Sequence, residues 1–240
     1  MRKFCTAAAG VLLIAGLAIG PGAARAADRL VLAELFTSLG CSSCPPADAL
    51  LGGLAQRGDV LALSFHIDYW DGLGWRDPYS LHLATERQRH YAEILGADVY
   101  TPQLVVAGAA EGVGSDRRGV DRLLQAQAPA AGAAIREQNG EFAVTIDAAP
   151  AQPGAAGAAI LLVTFDPSHK TPVRGGENGG RVLDTFNDVR SLRSIGTWRG
   201  ASVTLAVSRA GAETGERAAV IVQSDDGKVW AVAATPAGAS

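Results

Sequence analysis

Cys41-Ser42-Ser43-Cys44 sets two thiols two residues apart, with Pro45 and Pro46 directly behind. Three chemistries are open to such a pair. It can trade electrons with another disulfide, hold a soft metal ion, or pin a loop. The thiolate is the nucleophile and the metal ligand. An ordinary thiol of pKa about 8.5 is only ~3% ionised at pH 7, and lowering the pKa to roughly 6.5 would ionise ~75% of it. The unpaired N–H groups and partial positive charge of a helix N-terminus favour that ionisation. A disulfide closing so small a loop gains only about 2 kcal/mol and anchors nothing distant. Two thiolates with one histidine would suit Cu(I) or zinc, and His66, His82 and His90 are the candidates.

The elements that must position this pair read as an alternation. Leu30 to Phe36 is an apolar run of strand length, interrupted by Glu34. A helix follows over Asp48 to Gln56, with Leu50, Leu51 and Leu54 on one face. Val60 to Ile67 is a second strand. Pro78 to Leu95 reads as a helix with Asp77 as N-cap, Pro78 in its first position and Gly96 as C-cap. Leu104 to Ala107 and Glu111 to Gly114 are short strands, and Asp116 to Gln127 is a closing helix. The order β-α-β-α-β-β-α predicts an α/β layer architecture. Beyond Pro129 the chain is rich in alanine, glycine and proline around short apolar runs. Strands are expected at Phe142 to Ile146, Ile160 to Phe165, Val203 to Val207, Ala218 to Val222 and Val229 to Ala233, with a hairpin at Asp226-Gly227.

The N-terminus sets the compartment. Arg2 and Lys3 precede an apolar run from Phe4 to Ile19, broken by Gly20-Pro21-Gly22, and Ala24-Arg25-Ala26 fits a small-x-small cleavage site. This reads as a signal peptide over residues 1–26, whose apolar run of about 16 residues is short for a membrane span of roughly 20. Cleavage removes Cys5, leaving Cys41 and Cys44 alone. It also removes Arg2, Lys3 and Arg25, so 21 basic residues become 18 against 24 acidic ones. A protein this acidic, with no basic patch, is not expected to bind nucleic acid. No later segment is long and apolar enough to insert stably in a membrane.

In order along the chain, "ELFTSLGCSSCPPAD", "HIDYW", "GWRDP" and "VYTPQLVV" resemble a secreted bacterial family of unknown function, a divergent branch of the thioredoxin-like superfamily. The resemblance runs from about Leu30 to Gly108, and "RGGENGGR" and "GTWRG" extend it. It implies a thioredoxin-like domain over 27–130, followed by a β-rich region over 131–240. It implies that the Thr101–Pro102 bond is cis, facing the cysteines, with its neighbourhood offered to a bound peptide. It also gives Glu34 a reading as a buried acid that moves a proton near the second cysteine. The alternative for Glu34 is an edge position in water. This chain departs from thioredoxin in having Gly40 before the first cysteine, Ser42-Ser43 between the pair and two prolines after it. Pro45 fits best as the first helical residue with Cys44 as the cap, leaving Cys41 in a loop.

Two further stretches carry candidate binding residues. Tyr69, Trp70, Trp75 and Tyr79 crowd the segment after the second strand and form either a docking rim, with Trp70 and Trp75 touching substrate, or a cover over the core. In "RGGENGGR", Arg174, Glu177 and Arg181 make a local ion-pair network, an anion site or a flexible turn. The expected function is thiol–disulfide exchange in the periplasm. Cys41, the more accessible sulfur, attacks; Cys44 resolves; Thr101 and Pro102 position the partner. The alternative is a periplasmic copper chaperone or binding protein on the same fold. The partners are a protein or small-thiol disulfide and an electron-transfer partner, and no cofactor is implied.

Overall fold

The computed structural model describes residues 29–125, 129–151, 153–209 and 211–236, so the expected leader and the end of the third helix lie outside the described residues. Among the described residues the fold is a mixed α/β architecture in which strands predominate over three α-helices. β1 (Val31–Thr37) is buried along its whole length. It pairs in parallel with β2 (Val60–His66), so that Thr37 faces His66, and antiparallel with β3 (Gln103–Val106). β4 (Ala110–Val113) completes that side through a hairpin with β3.

Local sequence explains where the helices begin and end. α1 (Pro45–Ala55) starts at Pro45, because proline's fixed φ suits a first helical residue and its missing N–H costs nothing there. α2 (His82–Leu95) ends at Gly96, which takes the left-handed conformation with φ 63°. Its start differs from expectation. Leu81, not Asp77, precedes the first turn. Asp77 is drawn away by longer-range partners: its carboxylate accepts from Leu39 N at 2.7 Å and lies 2.8 Å from His66 Nδ1. α3 (Arg117–Leu123) follows β4.

The second half of the chain extends the same sheet. β5 (Ala133–Gln138), β6 (Glu141–Ile146) and β9 (Val203–Ser208) form a separate three-stranded sheet. β7 (Ala158–Pro172), β8 (Val182–Trp198), β10 (Arg217–Gln223) and β11 (Val229–Ala234) join the first one, in the order β11-β10-β7-β8-β2-β1-β3-β4. β8 meets β2 in parallel at Ser64 and Asp188. There Asn187, at φ 52°, donates its amide to Ala62 O at 2.7 Å. Alternate residues of β1 and β2 serve two cores. Leu32, Phe36 and Phe65 pack with Tyr91 of α2, while Val31, Leu35 and Ala62 pack with Leu51 of α1 and Val120 of α3. A third core, including Phe142, Trp198 and Trp230, lies between the two sheets.

β7 and β8 run on past the sheet as a long ribbon. Their pairing continues out to Pro172 and Val182. The ribbon tip carries the Arg174–Arg181 motif back toward the end of β1.

Candidate functional site

β1 stops at Thr37, and Gly40 N–H turns back to Ser38 Oγ at 3.0 Å. Cys41 and Cys44 are joined by a disulfide with their Cα atoms 5.5 Å apart. Cys44 is the N-cap of α1 and Pro45 its first residue, as the double proline predicts. The donors around the pair can be counted. Pro45 and Pro46 have no N–H. Ala47 and Asp48 N–H both go to Cys44 O, at 2.8 and 3.1 Å, and Cys44 N–H goes to Cys41 O at 3.3 Å.

The partner loop arrives as expected. The Thr101–Pro102 bond is cis. Thr101 Oγ1 donates to Cys41 Sγ at 3.4 Å and accepts from Trp70 Nε1 at 3.0 Å. Ser43 Oγ lies 3.3 Å from the same sulfur. Cys41, Cys44, Thr101, Pro102 and Trp70 are thus one constellation. Trp75 belongs to a different one: it packs with Leu39, Val173, Leu183 and Tyr79 beneath the ribbon tip.

That tip explains a difference from expectation. Both cysteines are buried in the oxidised pair, Cys41 1% exposed and Cys44 0%, while Ser42 and Ser43 lie open. Asn178 donates its amide to Leu39 O at 2.9 Å and to Cys41 O at 2.8 Å. Glu177 N–H bonds to Gly40 O at 3.2 Å. The Glu177 carboxylate accepts both from Ser42 N, at 3.0 Å, and from Ser42 Oγ, at 2.7 Å. These two bonds hold the Glu177 carboxyl below its ordinary pKa. Gly176, at φ 67°, is needed because a Cβ there would meet Gly40 at 3.3 Å in addition to its backbone strain. The motif is therefore neither an internal ion-pair network nor a free turn. Glu177 points at Ser42, and Arg181 bonds Asn178 Oδ1 at 2.6 Å and so braces the amide. No sequence signal marks residues some 135 positions from the cysteines as their neighbours.

Glu34 is buried, not solvated. It shares the face of β1 that carries Leu32 and Phe36, opposite α1. Arg87 grips it through Nε to Oε1 at 2.6 Å and Nη2 to Oε2 at 3.1 Å, and Tyr91 Oη donates to Oε2 at 2.5 Å. The acid on the cysteine side is Asp48, one helical turn beyond Cys44 and buried. Burial pushes its carboxyl up to about 7, against the lowering effect of His66 and of a 2.8 Å bond from Thr37 Oγ1. A signal for it was present: helical spacing sets Asp48 between Ala47 and Leu51, on the buried face.

His66 lies on the same side, with Nδ1 2.8 Å from Asp77 Oδ2 and Nε2 3.1 Å from Asp188 Oδ1. Burial pulls its pKa down, but the two carboxylates outweigh it and hold the imidazole well above its ordinary value. Both ring nitrogens are thereby engaged. His82 pairs with Asp68 at 2.8 Å, and His90 is exposed on α2. Among the described residues no three His, Cys, Asp or Glu side chains are grouped to hold a metal ion. Nor is any helix among them long and apolar enough to cross a membrane.

Residues 32–223 match the family described as "Protein of unknown function (DUF1223)". A protein of Agrobacterium tumefaciens with a solved crystal structure is 30% identical, with a TM-score of 0.73 over 88% of this chain and 93% of that one. HBP35 of Porphyromonas gingivalis is similar in fold alone: it is 13% identical, with a TM-score of 0.56 over 86% of this chain and 74% of its own. Among curated proteins there is no match.

Proposed function

The chain belongs to the DUF1223 family, whose description carries no activity, and we propose that it is an exported thiol–disulfide oxidoreductase on a thioredoxin-like fold. One observation carries the reading. The Cys41–Cys44 disulfide heads α1 while the Thr101 hydroxyl, next to cis-Pro102, bonds the Cys41 sulfur. A pair that served only to pin its loop would not need a second loop aimed at one of its sulfurs.

In the exchange, the Cys41 thiolate attacks one sulfur of a partner disulfide, and the partner's other sulfur leaves as a thiolate. Cys44 then attacks the Cys41 sulfur, releasing the partner's second thiol and leaving the pair oxidised by two electrons. Asp48, ionising near neutral pH, accepts the Cys44 proton. Thr101 and Pro102 position the partner, and Trp70 holds Thr101. Both cysteines are buried and the ribbon tip is bonded to their loop, so in this reading the tip moves aside before a partner enters.

The test uses the mature protein and a disulfide-bonded peptide. Turnover is expected in the wild type, its loss in Cys41→Ser, and a trapped mixed disulfide in Cys44→Ser. Tight binding of one Cu(I) by the reduced protein, with negligible exchange, would overturn the reading. Mass spectrometry of the exported protein should place Ala27 first, and a lipid-bearing Cys5 would sink the export assignment.

A further inference from the structure

Building on the exchange reading, we propose that Glu177 on the ribbon tip is a positioning residue that sets the redox poise of the Cys41–Cys44 pair, because its carboxylate holds the donors that a Cys41 thiolate needs. The donor inventory leads there. α1 offers the sulfurs little, because its first two residues are prolines and the next two N–H groups are spent on Cys44 O. The Cys44 N–H is spent on Cys41 O. Ser42, beside Cys41, carries a backbone N–H and a hydroxyl, and both point at Glu177. Two hydroxyls remain at the sulfur, Thr101 Oγ1 at 3.4 Å and Ser43 Oγ at 3.3 Å, so the Ser42 donors held by Glu177 are the ones the sulfur lacks.

The consequence depends on the redox state. In the disulfide neither sulfur is charged, so the Ser42 donors are free to satisfy Glu177. Reduction by two glutathione molecules gives the Cys41 and Cys44 thiols and one glutathione disulfide. Where Cys41 then ionises, its proton passes to solvent. The new thiolate competes for the Ser42 donors and faces the Glu177 carboxylate across one residue. Like charges one residue apart repel; the sulfur is buried but Glu177 lies in water, so solvent and salt screen part of that repulsion. The docked tip therefore favours the disulfide. By reciprocity the disulfide favours the docked tip, and reduction loosens it. Asn178 adds neutral bonds to Leu39 O and Cys41 O that hold the tip in register but do not sense the charge. One residue thus couples the cover over the pair to the electrons within it.

The experiment equilibrates the full mature chain with glutathione buffers at pH 7 and reads the reduced fraction by alkylation and mass. Glu177→Gln keeps an acceptor for Ser42 but loses the charge. It should raise the equilibrium constant for reduction about tenfold, ~30 mV toward a more oxidising pair. Glu177→Ala, which also loses the docking bonds, should raise it at least as far, and Glu177→Asp should return toward wild type. Wild-type protein provides a second readout without substitution. Amide hydrogen exchange at Ser42 and Glu177 should quicken on reduction. Constants within twofold of wild type in both Gln and Ala variants, or tip exchange indifferent to redox state, would overturn the proposal. Neither readout requires a protein substrate. Absent peptide turnover with a shifted constant would remove the exchange reading and leave the role of Glu177 standing.

Discussion

On the α2 face of β1, Glu34 is met by the Arg87 guanidinium, by the Tyr91 hydroxyl and, through Arg87 Nη2 at 2.9 Å, by Gln223 of β10. On the α1 face, Asp48 receives the Thr37 hydroxyl, and among the described residues no cation forms an ion pair with it. Both carboxylates are sealed from water. The difference lies in their company. Glu34 is gripped by a bidentate guanidinium and ties its neighbours together, whereas Asp48 has one neutral hydrogen-bond donor and feels His66 only at longer range, so burial wins and raises its carboxyl to about 7. Depth of burial alone does not distinguish a strut from a proton carrier.

Arg87→Met offers the harshest test of that contrast. It strands the Glu34 charge and should cost about 3–5 kcal/mol in urea unfolding, while Glu34→Leu with Arg87→Met should recover most of the loss. A single-variant cost no greater than that of Thr37→Val would end the comparison. Asp48→Asn should act with the opposite sign. The folded protein holds the Asp48 proton up to about pH 7, whereas the unfolded chain releases it near 3.8. Between those values the folded state binds more protons, so this group's contribution to stability falls as pH rises. At pH 8 the Asn variant should be more stable than wild type, on the order of 2–4 kcal/mol, and its stability should be flatter across that window. An unchanged slope in urea midpoints against pH would show that Asp48 does not titrate there. Thr37→Val should have the smallest effect, about 1 kcal/mol. By removing the donor that lowers the Asp48 pKa, it should move that titration above 7, followed by the carboxyl carbon resonance in NMR.

How much of this was legible follows from the range of the forces involved. Cys44 as cap with Pro45 behind it, Gly96 closing α2, and the Asp226-Gly227 turn between β10 and β11 are local steric outcomes. A few residues suffice to read them. β8 was missed because Asp184, Asp188, Arg190 and Arg193 interrupt any apolar period, and its place is fixed by β7 and β2, not by itself. β5 was missed too: Arg136 and Glu137 mask a strand whose partner is β6. Asp77-Pro78 looked like a helix start, yet a buried histidine and the Leu39 N–H made stronger claims on the carboxylate. The cysteines and Thr101-Pro102 could be named from sequence, whereas Asp48 had only a helical spacing to mark it. Glu177 stood out within its glycine-rich motif, but nothing tied it or Asn178 to the cysteines, since their contacts cross the chain.

The long reach of Asn178 also fixes a temporal order. It lies 137 residues after Cys41, whose carbonyl it covers. At about 5–20 residues per second, synthesis delivers it roughly 7–27 s later. Every newly made copy thus presents its cysteine loop before its own cover exists. During that interval the loop lacks the bonds that Asn178 supplies, so a disulfide closed before the ribbon arrives would form under different rules of access from one closed in the folded protein.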